Sequence, residues 1–205
     1  MPSNSAPASV GRPASAEADL FAATGRLLAG GVKFTELNAQ RIATEAGVAR
    51  SSFYVHFRDK VDLLIRLATQ LTVPNFDTAS AWRPADGVDG LTETFVNIVA
   101  TFREHAAVRR ALSEAAAYDD TVREYWAREL DQFSEFTDRL LRIEQDAGRT
   151  PADLDVPSAT EIIVLGGERA IVEHVNTRPA ATDAAFAAEL ARIWWHGVYR
   201  RAPEH

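Results

Sequence analysis

Apolar side chains recur along this chain at steps of three and four residues, the spacing of one face of an α-helix. Leu20, Phe21, Thr24, Leu27 and Leu28 form a first stripe that stops at Gly30-Gly31. A second helix is expected from Asn38, a good N-cap, with Ile42, Ala43 and Ala46 inward, to Gly47, the residue best able to take positive φ at a helix C-terminus. Only Val48 and Ala49 separate it from a short helix, Arg50 to about His56. Phe57-Arg58-Asp59 leads to a fourth, with Val61, Leu64, Ile65 and Ala68 on one face, and Pro74 marks the passage to longer helices. Residues 87–105 carry Leu91, Phe95, Ile98 and Phe102 in register, and Val122, Trp126, Leu130, Phe133, Thr137, Leu140 and Leu141 stripe the stretch from Thr121 to Ala147. Ser158 and Glu161 match a capping box opening a helix to about Asn176, and Asp183 caps a last one with Phe186, Leu190, Ile193, Trp194, Gly197 and Val198. No stretch alternates apolar and polar residues with period two. The expected fold is all-α, with about nine helices.

Composition narrows the function classes. A chain of 205 residues with 46% hydrophobic residues can bury a sizeable core. Without cysteine there is no disulfide scaffold, thiolate metal site or Cys nucleophile. No apolar run approaches a membrane span, and the Ser/Pro/Ala-rich start has no hydrophobic stretch of a signal peptide, which implies a soluble, cytoplasmic protein. Residues 1–15 read as a disordered tail, in which Arg12 is a cation available to a partner. The net charge of -7 argues against a nucleic-acid partner until it is divided along the chain. Residues 1–72 sum to +2 and residues 73–205 to -9, so the head is electrostatically distinct from the body.

That head carries the informative segment, Leu37 to Phe57 followed by Asp59-Lys60. Two short helices joined by a Gly-containing turn form a helix-turn-helix, whose second helix fits a DNA major groove. Ile42, Ala43, Ala46, Val48, Phe53 and Phe57 take the buried side, leaving Arg50, Ser51, Ser52, Tyr54 and His56 outward. A guanidinium, two hydroxyls, a phenol and an imidazole suit base edges and phosphate oxygens. An ordinary helical hairpin with a polar face has the same periodicity, so the spacing has to decide. Ala46-Gly47-Val48, then Phe53-Tyr54, His56-Phe57 and Lys60, closely resembles the signature of the TetR family of transcriptional repressors.

The resemblance implies a helix-turn-helix DNA-binding domain over residues 16–62 and a ligand-binding and dimerisation domain over residues 63–205. It places Asn38 and Gln40 at a phosphate, Arg50, Ser51 and Ser52 at bases, and Tyr54 and His56 at phosphates. Lys60 opens the fourth helix, where a cation and the positive end of the helix dipole meet a phosphate. Ala49 departs from the Ser that often caps the family's recognition helix. In the body, Thr101-Phe102, Val108 to Ala111, Tyr125-Trp126, Gly167 to Arg169 and Ile193-Trp194 look like stretches of a family member with a long apolar ligand channel. The implied lining is Leu91, Phe95, Ile98, Phe102, Trp126, Phe133, Thr137, Val164, Gly167 and Trp194. Two amide positions that grip ligand in that member are Val164 and Gly167 here, so the effector is expected to be more apolar or held differently. Glu168-Arg169 is expected to pair with a neighbouring helix.

The faces of Val164, Gly166, Gly167, Ala170 and Ile171, and of Phe186, Leu190, Ile193 and Gly197, suggest a homodimer through the last two helices. Together these readings describe a ligand-responsive repressor that binds a palindromic operator as a homodimer and is released by a small apolar effector. A helical ligand carrier or scaffold dimer without DNA binding is the alternative. The five histidines show no ligand spacing, and HExxH, P-loop and GxSxG motifs are absent, so no enzyme, metal or cofactor is expected.

Overall fold

A computed structural model describes residues 15–200. The tail expected over residues 1–15, with Arg12, lies outside the described residues except for Ser15, whose hydroxyl accepts from the Ala18 amide and caps the first helix. Among the described residues there are nine α-helices and no strand. They are α1 (Ala16–Ala29), α2 (Ala39–Ala46), α3 (Arg50–His56), α4 (Lys60–Ala81), α5 (Gly87–Glu104), α6 (Ala106–Ala116), α7 (Asp120–Asp146), α8 (Val156–Thr177) and α9 (Asp183–Trp194). Short 3-10 turns precede α2, α5 and α9, and a π-helical turn, Trp195–Tyr199, extends α9.

Several boundaries differ from the sequence reading. Pro74 sits inside α4, which continues without interruption to Ala81. Proline removes one ladder hydrogen bond, here to the Gln70 carbonyl, and helices survive this where packing holds the next turn. The Phe76 ring, in edge contact with Phe133 at 5.2 Å and Phe136 at 6.1 Å, supplies that packing. The capping box expected at Ser158 is not formed: α8 begins two residues earlier, Pro157 occupies its first turn, and Ser158 donates to Asp155. Asp183 is the first residue of α9 and not its cap, because its carboxylate is held elsewhere. It receives Arg103 in a two-pronged pair at 2.6 and 2.7 Å and lies 3.0 Å from His174 Nε2, tying α5, α8 and α9 together. Helix α6 buries Val108, Ala111, Leu112 and Ala115, one stripe at helical spacing that the sequence reading did not pick out.

Two cores result. The first joins α1, α2 and α3 to the near half of α4, to Val108, Ala111, Leu112 and Ala115 of α6, and to Val122 and Tyr125 at the start of α7. The second gathers Trp82, α5, the far half of α7, α8 and α9. Residue 62, the expected domain boundary, thus falls within a continuous helix, and the core of the head extends across it.

The turn between α7 and α8 is locked by a buried carboxylate. Glu144 is 4% exposed and receives Arg149 at 2.7 and 3.0 Å and Arg200 at 2.9 Å. The Arg149 hydrogen bonds, with Arg200, hold its carboxyl below the usual range against the opposing effect of burial. A group whose folded value is depressed stabilises the fold above its ordinary titration range and stops doing so as pH falls through the folded value. Glu144→Gln should therefore cost on the order of 2 kcal/mol at neutral pH. The difference from the parent should shrink below about pH 4; denaturant melts at several pH values check both the size and the sign.

Candidate DNA interface and effector cavity

Helix α3, the expected recognition helix, is fixed from beneath by aromatic packing. Phe53 is fully buried, and its ring lies 5.6 Å from Phe57, which in turn meets Phe21 of α1 at 5.1 Å. Gly47, at φ 71°, makes the left-handed turn that lets α2 end and α3 begin after only Val48 and Ala49. The anchored side leaves Arg50, Ser51 and Tyr54 exposed, with Ser52 and His56 half-buried. Arg50 Nη2 donates to the Tyr54 hydroxyl at 3.3 Å, and its guanidinium sits 5.5 Å from that ring, so the two form one surface unit. Val55, 78% exposed, shares this face and was not among the expected contacts. A valine at helical spacing reads as core until the partners of α3 are known.

The remaining expected contacts are engaged within the head. Asn38 caps α2, accepting from the Arg41 amide at 2.9 Å, and Gln40 donates to Thr44 at 3.1 Å, both on the exposed surface. Lys60 is turned inward. Its Nζ donates to the Phe34 and Thr35 carbonyls at 2.9 and 3.3 Å and lies over the Phe34 ring, and burial lowers its pKa against the pull of Glu114. The positive end of α4, expected to meet a phosphate, already holds a carboxylate: Asp59 accepts from the Val61 and Asp62 amides at 2.9 and 2.8 Å. Arg58, in the turn after α3, is a cation to which the sequence reading gave no contact; among the described residues its guanidinium pairs with adjacent Asp59, at 3.2 Å, on the surface.

All ten positions expected to line a ligand channel surround one cavity of about 110 Å³ in the body. Leu91, Phe95, Ile98 and Phe102 come from α5, Trp126, Phe133 and Thr137 from α7, Val164 and Gly167 from α8, and Trp194 from α9. Helix α4 completes the wall with Thr72, Asn75 and Ala79, and Trp82 follows directly after it. Gly167 lets the Trp194 ring approach closely: a Cβ there would lie 3.0 Å from that ring, which meets Phe95 edge-on at 4.9 Å, and would push it aside. The wall also carries charge. Glu168 faces Arg109 of α6 at 3.2 Å, the expected inter-helix pair, while Arg169 points outward toward Glu173. Arg109 lies over Phe102 at 3.5 Å, and its burial lowers its pKa despite Glu168. Glu129 lines the same cavity, with its pKa raised by burial.

The faces expected to dimerise divide differently from the sequence reading. Val164, Gly167, Ile171 and Leu190 turn into the body, whereas Ile162, Leu165 and Ile193 are 70%, 42% and 59% exposed, with Gly166 and Gly197 beside them on the surface. The reason is rotational: the cavity takes the side of α8 that carries Val164, Gly167 and Ile171, leaving the face about one residue away. Among the described residues no group of three His, Asp or Glu side chains could hold a metal ion, and no helix is long and apolar enough to cross a membrane.

Comparison with known proteins agrees with both regions. Residues 30–67 match the family of bacterial regulatory proteins of the tetR type, and residues 91–200 match the C-terminal domain of the transcriptional regulator EthR. The chain is 26% identical over 191 residues to the HTH-type transcriptional regulator EthR of Mycolicibacterium smegmatis, covering 91% of this chain and 88% of that protein. The solved structure of the fatty acid degradation regulator FadR from Bacillus halodurans superposes with a TM-score of 0.73 at 18% identity, over 93% of this chain and 100% of the other. SmeT, the repressor of a Stenotrophomonas maltophilia multidrug efflux pump, solved in complex with triclosan, gives a TM-score of 0.70 at 14% identity, over 94% and 97%. With its head matched by one family model and more than half its length by the other, the chain belongs to the TetR family of transcriptional regulators and carries an EthR-type C-terminal domain.

Proposed function

We propose that this regulator is a repressor that binds a palindromic operator as a cytoplasmic homodimer and is released when a small, largely apolar effector enters the body cavity. One observation carries the reading. Helix α4 starts in the turn that follows the recognition helix and runs on until Asn75 and Ala79 form part of the cavity wall. Residues 16–62 read DNA and residues 63–205 receive the effector and dimerise, with α4 common to both. Arg50, Ser51 and Ser52 address bases, and Tyr54, His56, Asn38, Gln40 and Lys60 address phosphates, Lys60 after leaving the carbonyls of Phe34 and Thr35. Val55 and Arg58 join them, the first as an apolar contact for a thymine methyl, the second as a phosphate cation.

The size of the cavity supports an expansion mechanism. About 110 Å³ is less than the ~150 Å³ that accommodates benzene in an engineered protein cavity, so any larger molecule has to displace Trp194, Phe133 or α4 itself. Movement of α4 changes the separation of the two recognition helices from the ~34 Å that one turn of DNA demands. A coupling of ~1–3 kcal/mol between the two sites releases the operator. The complex of SmeT with triclosan is a precedent for small-molecule binding on this fold. Dimerisation uses the exposed apolar face of Ile162, Leu165, Gly166, Ile193 and Gly197, which packs against its two-fold copy as a four-helix arrangement.

Titration of the protein against DNA from upstream of its own gene, at several salt concentrations, tests the first part. Tyr54→Ala should weaken binding to all sequences and flatten the salt dependence, whereas Arg50→Ala should relax discrimination by ~1–3 kcal/mol per site; unchanged affinity in both would sink the assigned surface. Ile193→Asp should convert the protein to monomers in sedimentation velocity and abolish operator binding, while a dimer that persists would place the interface elsewhere. Gly167→Trp should fill the cavity and either mimic the effector or block it, read as a lost melting response to ligands that stabilise the parent.

A further inference from the structure

The cavity wall contains hydrogen-bonding groups that the protein itself leaves unused. Asn75 of α4 is 4% exposed and lines the cavity, and its carboxamide bonds to no described residue. Thr137 of α7 is 6% exposed, lines the same cavity, and its hydroxyl is equally unpaired. The other cavity threonines behave differently: Thr72 donates to the Ala68 carbonyl at 3.1 Å and Thr94 to that of Gly90 at 2.9 Å. Arg109 adds a third unused donor, since its buried Nε has no partner although the guanidinium is held by Glu168. Buried polar groups are nearly always satisfied, and one left without a partner costs free energy. Asn75 and Thr137 thus leave their hydrogen-bonding groups free at the wall of one small cavity, available to whatever enters it.

Asn75 and Thr137 belong to the same level of the wall. Their chain neighbours, Phe76 and Phe136, are in edge contact at 6.1 Å, which fixes α4 against α7 there. We infer that Asn75 and Thr137 are the hydrogen-bonding grip of the effector site, and that the effector is an uncharged molecule with an apolar body and a carbonyl group of the amide class. The inference rests on the cavity being the effector site. A carboxamide offers one donor and one acceptor side by side, which an amide on the ligand answers with both of its own. The charges of the wall argue against an anion: Arg109 is already matched by Glu168, and Glu129 would add repulsion. Position adds a consequence for signalling. Asn75 follows Pro74, where the α4 ladder already lacks a bond, so a ligand that engages its amide acts on the transmitting helix at its weakest turn.

The test compares phenylalkanamides carrying two to six methylenes with their isopropyl-ended hydrocarbon isosteres, using the full chain and measuring Kd by calorimetry beside thermal melts. The parent should bind the best amide about tenfold more tightly than its isostere, as expected where a buried polar group would otherwise go unpaired. Asn75→Leu should abolish that preference while raising the melting temperature of the free protein, because a merely structural asparagine would lower it when replaced. Thr137→Val, a change of nearly the same shape, should reduce the preference independently. Equal binding of amide and hydrocarbon by the parent, or a preference untouched in both variants, overturns the inference while leaving the cavity as an effector site. Binding of neither series at any length overturns the cavity reading itself, and the inference with it.

Discussion

Helix α4 has to serve two hydrophobic cores at once, and the rest of the molecule is arranged around that constraint. Leu63, Leu64, Leu67 and Ala68 are buried with the head, and Trp82, directly after the helix, is buried with the body. Between them the ladder is locally weakened. Pro74 removes one bond, and Thr69, Thr72 and Thr78 each bond back to the carbonyl four residues earlier, a habit that bends helices. A rod tied firmly at both ends and softened in the middle can change its curvature without losing either core. The unused amide of Asn75 sits in that softened stretch.

The attachment of head to body is polar as well as apolar. Glu114 of α6 accepts from the Phe34 and Thr35 amides at 3.4 Å, while Lys60 donates to the carbonyls of the same two residues. One turn of backbone is thus held by a carboxylate from the body and an ammonium from the start of α4. Most cations of the head are likewise engaged: Arg26 with Glu45, Arg66 with Glu17, Arg58 with Asp59. The thin margin of +2 is spent largely inside the head, so on the proposed function DNA is held by placed contacts such as the exposed unit of Arg50 and Tyr54, and by the symmetry of a dimer, more than by overall charge.

Packing in the body follows from one close contact that a glycine makes without crowding. Trp194 reaches the cavity because Gly167 gives it room, and its ring then meets Phe95. Turning that side of α8 inward decides what remains outside on it, namely Ile162, Leu165 and Gly166. The same rotation explains both the lining of the cavity and the apolar surface that α8 leaves outside.

Much of this was legible in the sequence. Periodicity, Asn38 and Gly47 marked the helix-turn-helix to the residue, because capping and left-handed turns are local requirements that a few side chains meet or fail to meet. Resemblance to the TetR family then supplied the ten cavity positions, and all ten meet in space. What the sequence left open depended on partners distant in the chain. It did not reveal that α4 would survive Pro74, that Asp183 would serve Arg103 and not cap α9, or that Lys60 would turn toward Phe34, since each outcome is set by a neighbour 20 to 80 residues away. It could not tell an inward from an outward glycine on α8. Local chemistry determined the elements and the reading head; tertiary contact decided their rotation, and with it which polar groups the cavity holds without a partner.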